Sequence, residues 1–454
     1  MKSATGNWMT IQQATRVSTI VSMVPDEIIY KHSDYTVRSY DTALMFIDIS
    51  GFTDLCENYT KPGRGGPSRL TQVLNSYIGA MVQEILMHNG DVLKFSGDAF
   101  LSMWKKTPRL SMQDVVHTAI DCALIIQKNY GTYMTDVGVV LKVKVAISAG
   151  RSHFSIIGGG NDSSHYVIVG QPVWDVKMAE YMSTAGDVLT SASAWIYVNE
   201  AEYCTQPCGD GRHTKVLGVG VNWKRVEKFH GSLASQRAPE SPIYANLPSF
   251  GNKGFTEINY REYSLRPAVL SAMDSSWWPS LRPFMVTPVL RAVDNDEPMD
   301  FLTEVRRVVV VFLNIVTKTV TEDVLISIVD TAYKCVCSVT SELDGLVNKV
   351  SMFDKDMMFL VVFGLRGLKH EDEAQNALLF AHQLREKLDD PNIINISIGV
   401  TSGTTYCGVV GHVLRREYTV IGTAVNKVDV KTVTCKSCRE AIANGAALTR
   451  DIFR

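Results

Sequence analysis

Apolar and polar positions along this 454-residue chain fall into blocks that recur twice in the same order. TALMFIDISGF (42–52) is an apolar run closed by a turn, the pattern of a buried strand. VVVVFLNIVTK (308–318) is the same kind of run, with Asn314 where the first has Asp48. Apolar residues then recur at steps of three and four over 70–90 and again over 324–345, which predicts a helix in each place. GDVLKFSGDAFLSMW (90–104) and 345–364 each read as two strands around a tight turn. A second helix pattern follows at 115–130 and 373–388, then a strand at 141–150 and 394–403. A last strand and helix start come at 166–180 and 418–430.

Each copy is therefore β-α-β-β-α-β with a further hairpin. That order predicts an α+β fold, two ferredoxin-like units with helices on one face of an antiparallel sheet. Two copies in one chain predict an intramolecular pseudo-two-fold heterodimer with composite sites between them. The boundaries read as an N-terminal segment over 1–40, a first domain over 41–200, a connector over 201–304 and a second domain over 305–454. The connector holds nine of the fifteen prolines and no long periodic pattern.

Composition narrows the function classes. Lys plus Arg number 45 and Asp plus Glu 47, a formal net charge of −2. That balance lacks the basic stripe of a nucleic-acid binder, and 46% hydrophobic residues suit a globular chain. The most apolar stretch, Val308–Val316, falls short of the roughly 18 residues needed to cross a bilayer. The N-terminus lacks the apolar block of a signal peptide. Nine cysteines fit no disulfide framework, so a reduced, cytoplasmic protein is expected. Cys204/Cys208 and Cys435/Cys438 have zinc-like spacing but fall in different modules, and free thiols are the simpler reading. Gly63–Pro67 lacks the Lys and Ser or Thr of a phosphate loop and reads as a mobile connection. Trp277 and Trp278 read as anchors for the connector.

Two acidic residues carry candidate chemistry. Asp48 ends a strand that is otherwise apolar, where a carboxylate is costly unless compensated. Asp98 follows Gly97 in the first hairpin turn. The fold makes these two places neighbours, so the two carboxylates, with the Ile49 carbonyl, suit Mg²⁺ or Mn²⁺. The second copy has lost this pair: Asn314 replaces Asp48, and Asp354 and Asp356 are out of register.

FIDISGFT (46–53), KFSGD (94–98) and EYTVIGxxVN (417–426) resemble the motifs of the class III nucleotidyl cyclases. The pairing of two unlike copies is most similar to the bicarbonate-regulated soluble adenylyl cyclases. The resemblance implies conversion of ATP to cyclic AMP and pyrophosphate, with two Mg²⁺ or Mn²⁺ ions held by Asp48, Asp98 and Ile49. It implies that Lys349 and Thr419 read adenine, Lys349 donating to N1 and Thr419 accepting from the N6 amine, the opposite of what guanine presents. It also makes Asn426 the ribose-orienting residue and sets Lys144 against the triphosphate, although Lys142 shares its strand face. In the mirror pocket, Lys94, Lys177, Ile168 and Met352 are expected to hold bicarbonate, with a Lys94–Asp98 ion pair as the alternative. Arg415 and Arg416, before the last strand, are expected at the surface or the seam between domains.

One departure matters. The family has an Arg four residues after its Asn, and here that residue is Val430, followed by text that suggests a shortened or missing helix. Lys427 or Lys431 would lack the bidentate fork of Arg. Adenylyl cyclase is thus the leading reading, and a weakened or inactive nucleotide or anion sensor is the alternative. Soluble cyclases of this type are longer, so a catalytic fragment or shortened form is expected.

Overall fold

The computed structural model describes residues 11–60, 66–159, 163–224, 265–273, 277–353 and 356–430. The first half runs α1 (Ile11–Ser22), α2 (Asp26–Lys31), β1 (Arg38–Ser50), α3 (Phe52–Thr60), α4 (Gly66–Met87), β2 (Asp91–Ser96), β3 (Ala99–Lys105), α5 (Met112–Tyr130), β4 (Thr132–Met134), β5 (Val140–Gly158), β6 (Ser164–Val169), α6 (Gln171–Met182), β7 (Val188–Thr190), α7 (Ala192–Trp195), β8 (Tyr203–Pro207) and β9 (Thr214–Val219). After α8 (Pro267–Met273) and α9 (Thr287–Asp294) come β10 (Glu304–Thr317), α10 (Glu322–Glu342), β11 (Gly345–Phe353), β12 (Asp356–Phe363), α11 (Glu373–Lys387), β13 (Ile393–His412), β14 (Arg415–Ile421) and α12 (Thr423–Val430).

The apolar run of the first block becomes β1, the centre of a sheet ordered β2-β3-β1-β5, with β6 folded back on β5. Ala43, Leu44, Met45, Ile47 and Ile49 have no exposed surface. Burying each of the larger side chains contributes roughly 1.5–3 kcal/mol, which anchors the strand that carries Asp48 near its end. The second sheet repeats the plan as β11-β12-β10-β13-β14. A register shift falls between Val92 and Lys94 in one hairpin and between Val347 and Lys349 in the other. Each lysine therefore follows the same kind of bulge, which re-aims a side chain locally.

Helix α4 of the first half packs on β13 of the second. Asn75 Nδ2 donates to the Val409 carbonyl at 3.3 Å, and Gly411 N–H donates back to Asn75 Oδ1 at 3.1 Å. The reciprocal contact joins α10 to β5, where Gly158 N–H donates to Asp330 Oδ1 at 2.8 Å and Ser163 bonds the Tyr333 hydroxyl. Helix α10 is long and apolar enough to cross a membrane by length and composition. Val329, Ala332 and Val336 on it are wholly buried in the core of the second sheet.

Several expectations need correction. The first sheet does not stop at residue 200: β8 and β9 extend it through the order β5-β7-β9-β8, into the span read as connector. The N-terminal segment is part of the core, with Val17, Ile20 and Val21 of α1 fully buried. Arg415 lies within β14, not before it, and is neither exposed nor superficial. It has no exposed surface, and its guanidinium donates to the Val92 and Leu93 carbonyls, both at 2.7 Å, and to Met23. Arg416, also buried, donates to Ser22 Oγ. Each arginine extends across the seam, where carbonyls and hydroxyls supply the acceptors that make burial tolerable.

Arg266 of the connector is likewise buried, donating to Val21, Val24 and Leu414 carbonyls and pairing with Asp26 at 2.6 Å. Trp277 stacks on His32 with ring centroids 4.8 Å apart. Cys204 is exposed and Cys208 partly so. Cys435, Cys438, Lys431, Asp354, residues 61–65 of the glycine-rich stretch and the side chains of Lys427 and Val430 lie outside the described residues.

Candidate functional site

Gly51 turns the chain from β1 into α3 with φ of +89°, and a Cβ there would meet the Val140 carbonyl oxygen at 2.7 Å. Gly97 adopts φ of +66° in the β2–β3 turn. These glycines, free of a Cβ penalty, shape the two turns beside Asp48 and Asp98. In the ladder, Asp48 lies across from Ala99 on one side and Lys144 on the other. Burial, then the charge of Asp48, pushes the Asp98 carboxyl up to about 7. A carboxyl whose proton affinity is raised by a neighbouring carboxylate forms with it a pair that a divalent cation would neutralise. Ile49 is wholly buried one residue beyond Asp48. Among the described residues no cluster of three or more His, Cys, Asp or Glu gathers to hold a metal. Two carboxylates and a carbonyl are therefore the donor set on offer.

Lys144, on β5, bonds Asp48 Oδ2 at 3.2 Å and Glu180 Oε1 at 2.5 Å. Lys142, its partner in the alternation, is exposed. Burial would lower the Lys144 pKa, but bonds to Glu180 and the charge of Asp48 outweigh it and raise it. Lys177, on α6, donates to Glu180 Oε2 at 2.7 Å and stands 5.2 Å over the Phe46 ring. Burial would likewise raise the Glu180 carboxyl, but the two ammonium groups hold it low.

The second half contributes from the seam. Asn426, on the first turn of α12, donates to Thr53 Oγ1 on α3 at 2.8 Å. Lys349 follows its bulge into a buried position where its ammonium pairs with Glu417. Glu417 also accepts the Phe95 backbone N–H at 3.2 Å and lies 3.5 Å from Arg415 Nη2. Thr419 is two residues beyond Glu417 on the same face of β14. It is 1% exposed, and its Oγ1 has no hydrogen-bond partner among the described residues.

The mirror residues meet different partners. Lys94 donates to the Val350 carbonyl and stands 4.9 Å from the centre of the Tyr166 ring. Burial pushes its ammonium down to about 7. The alternative Lys94–Asp98 ion pair does not form, because the bulge turns Lys94 across the seam. Ile168, on β6 across from Phe154, and Met352, on β11 across from Met357, are both buried. The structure thus groups Asp48, Asp98, Ile49, Lys144 and Lys177 at one end, with Asn426 meeting Thr53 of the adjoining helix. Lys349, Thr419 and Lys94 gather near Glu417.

Sequence reading missed Glu180, Thr53 and the part played by Glu417. Glu180 lies three residues beyond Lys177 on a helix, a spacing that makes partners. Glu417 shares a strand face with Thr419, a signal carried by the alternation alone.

Residues 35–214 match the adenylate and guanylate cyclase catalytic domain family. The chain is 32% identical over 422 residues to adenylate cyclase type 10 of Oryctolagus cuniculus, covering 90% of this chain and 25% of that protein. It is 33% identical over 425 residues to adenylate cyclase type 10 of Homo sapiens, with the same coverage. The chain thus spans about a quarter of the length of these relatives. Among solved structures, a class III adenylyl cyclase-like ATP-binding protein from Pseudomonas aeruginosa is similar with a TM-score of 0.51 and 13% identity. That match covers 93% of this chain and 90% of that one.

Proposed function

We propose, from the match of residues 35–214 to the adenylate and guanylate cyclase catalytic domain family, that the chain is an adenylyl cyclase acting inside the cell. Its site would form across an intramolecular pseudo-two-fold seam between a first cyclase domain and a second that begins near residue 305. The reciprocal packing of α4 on β13 and α10 on β5 supports that pairing. The observation that carries the reading is Thr419 Oγ1, a buried acceptor without a partner among the described residues, two residues along β14 from the Glu417 that the buried Lys349 ammonium pairs with. A buried acceptor left unpaired costs about 1–3 kcal/mol. A ligand with an amine beside a ring acceptor, as adenine has, recovers that cost and uses Lys349 as donor.

Asp48 and Asp98, with the Ile49 carbonyl, would hold Mg²⁺ or Mn²⁺, two ions in the family pattern, supplying positive charge at the 3′-hydroxyl and the triphosphate. Lys144 sits where it can leave Asp48 for a phosphate oxygen, and Asn426 orients the ribose from the far side. A bicarbonate response belongs to the same proposal and requires Lys177 to part from Glu180 so as to join Lys94 around the anion.

One observation favours a second reading, a nucleotide-binding sensor with little turnover. Helix α12 runs from Thr423 to Val430, so the residue four beyond Asn426 lies one turn further on, and it is Val430. Loss of one charge-stabilising group of this kind costs on the order of a hundred- to a thousandfold in rate. Cyclic AMP formed from Mn²⁺-ATP, with and without bicarbonate, separates the two. Product abolished in Asp48→Ala supports the cyclase. Metal-dependent ATP binding without product leaves the sensor, and cyclic GMP from GTP at an equal rate overturns the base assignment.

A further inference from the structure

We infer that a cavity beneath the connector is a binding site for a small, uncharged ring compound that carries one N–H or O–H donor. The site is separate from the cyclase reading and does not depend on it.

The cavity has a volume of about 260 Å³ and lies where three parts of the chain meet. Residues 283–290 of the connector, which lead into α9, form one wall. The start of β6, from Ser163 to Tyr166, forms another. The start of β11, from Gly345 to Asn348, and one face of α10 complete it. None of the residues proposed above for metal, base, ribose or bicarbonate lines it.

Asn348 is the residue that asks for a ligand. It lines the cavity and is only 4% exposed. Its Nδ2 donates to the Tyr418 carbonyl at 3.5 Å, while its Oδ1 has no hydrogen-bond partner among the described residues. The fold does not require a polar side chain at this place. Leu93 occupies it in the first hairpin, where it is the bulge residue before Lys94, as Asn348 is before Lys349. Leu93 is fully buried and needs no partner. A buried acceptor left unpaired is costly, and a ligand that donates to it recovers the cost. The polar neighbours are already bonded: Ser163 to Tyr333, Ser164 to Tyr35 and Thr340 to the Val336 carbonyl.

The walls set the class of ligand. No Lys or Arg lines the cavity, and its one carboxylate, Glu417, is already paired with Lys349 and Arg415. A nucleotide, phosphate or bicarbonate would be buried there without a counter-charge, which is strongly disfavoured. Met285, Val286, Leu290 and Leu346 supply apolar surface, and His165 meets the Tyr333 ring edge-on with centroids 6.1 Å apart. Pockets for drug-sized ligands run to roughly 300–1,000 Å³, so a compound of one or two fused rings is the size that suits this one. Such an occupant would touch the connector and both halves at once, and its binding would stabilise their paired state.

Indole and benzofuran test this, because they share a shape and only indole carries a donor. Each is titrated into the full chain by calorimetry, with thermal unfolding as a second readout. Indole should bind saturably and raise the unfolding transition. In Asn348→Leu, which installs the residue of the first copy, the ratio of indole to benzofuran affinity should fall about five- to tenfold, the factor for one hydrogen bond. Leu290→Trp fills the cavity and should abolish binding of both. Absence of saturable indole binding, or equal indole affinity in wild type and Leu290→Trp, would overturn the site. An unchanged affinity ratio in Asn348→Leu would remove Asn348 as the acceptor and overturn the ligand class. Should Leu290→Trp fail to fold by circular dichroism, the ratio in Asn348→Leu decides alone.

Discussion

Asn426 donates its side-chain N–H to the Thr53 hydroxyl at 2.8 Å, joining the first turn of α12 to the helix that follows Asp48. The residue proposed to orient the ribose is thus held by the half that carries the acidic pair. Thr53→Val removes the acceptor at nearly constant volume. Loss of about 1 kcal/mol of orientation corresponds to a roughly fivefold fall in kcat with KM for ATP little changed. Steady-state kinetics on the variant would show it.

The charge of Asp48 opposes the ionisation of Asp98, and a bound cation would relieve that opposition. In Asp98→Asn, Mn²⁺ affinity measured by electron paramagnetic resonance or calorimetry should fall about a hundredfold or more, given that even supporting ligands change affinity by ten- to a hundredfold. Unaltered Mn²⁺ binding would remove Asp98 from the donor set.

Thr419→Val replaces an unpartnered hydroxyl with a methyl. The apo chain should be as stable as the parent or slightly more so, because a buried orphan acceptor is removed. KM for ATP should rise about tenfold, the equivalent of one lost hydrogen bond. A stability gain with no change in KM would locate the acceptor outside the base pocket.

His412 titrates on the acid side. Burial first, then Arg416 and Arg266, depress its pKa to about 4, while the unfolded chain has an ordinary imidazole. The unfolded state therefore binds the proton first, and stability present above pH 6.5 is lost as pH falls toward 4. That loss is on the order of 2–3 kcal/mol. His412→Asn keeps an acceptor for the Leu414 N–H and removes the titration. Chemical denaturation at pH 7 and pH 4.5 should show a smaller acid penalty in the variant.

Arg266→Met leaves the Val24 and Leu414 carbonyls without their Arg266 donor and the Val21 carbonyl with the Val24 N–H at 3.4 Å. Each such loss costs about 1–3 kcal/mol. Thermal unfolding should begin several degrees lower, by roughly 2–4 °C for each kcal/mol in domains of this size. An unchanged transition would mean that water reaches these carbonyls.

Periodicity was enough to find the main strands and helices of both sheets, because strands buried on both faces and amphipathic helices write their geometry directly into residue spacing. Asp48 and Asp98 stood out for the same reason, each being a charge at the end of an apolar pattern. Strands β8 and β9 were hidden by short length and by the turn residues between Cys208 and His213. For Arg415 and Arg416 the sequence left surface and seam open, because a charged side chain is usually solvated, and Arg266 gave no signal at all. Their burial depends on carbonyls and hydroxyls supplied by distant segments, which no local pattern records. Glu180 and Glu417 were legible only as partners, and a partner becomes visible once topology has set the two strands or turns side by side.

The crossed packing of α4 on β13 and α10 on β5 has a consequence for behaviour in solution. In cyclases assembled from separate subunits the seam is a bimolecular equilibrium, and dilution opens it. Here both sides of the seam belong to one polypeptide, so each meets the other at an effective concentration set by the tether. If the proposed cyclase site forms across this seam, specific activity should be independent of protein concentration down to the nanomolar range.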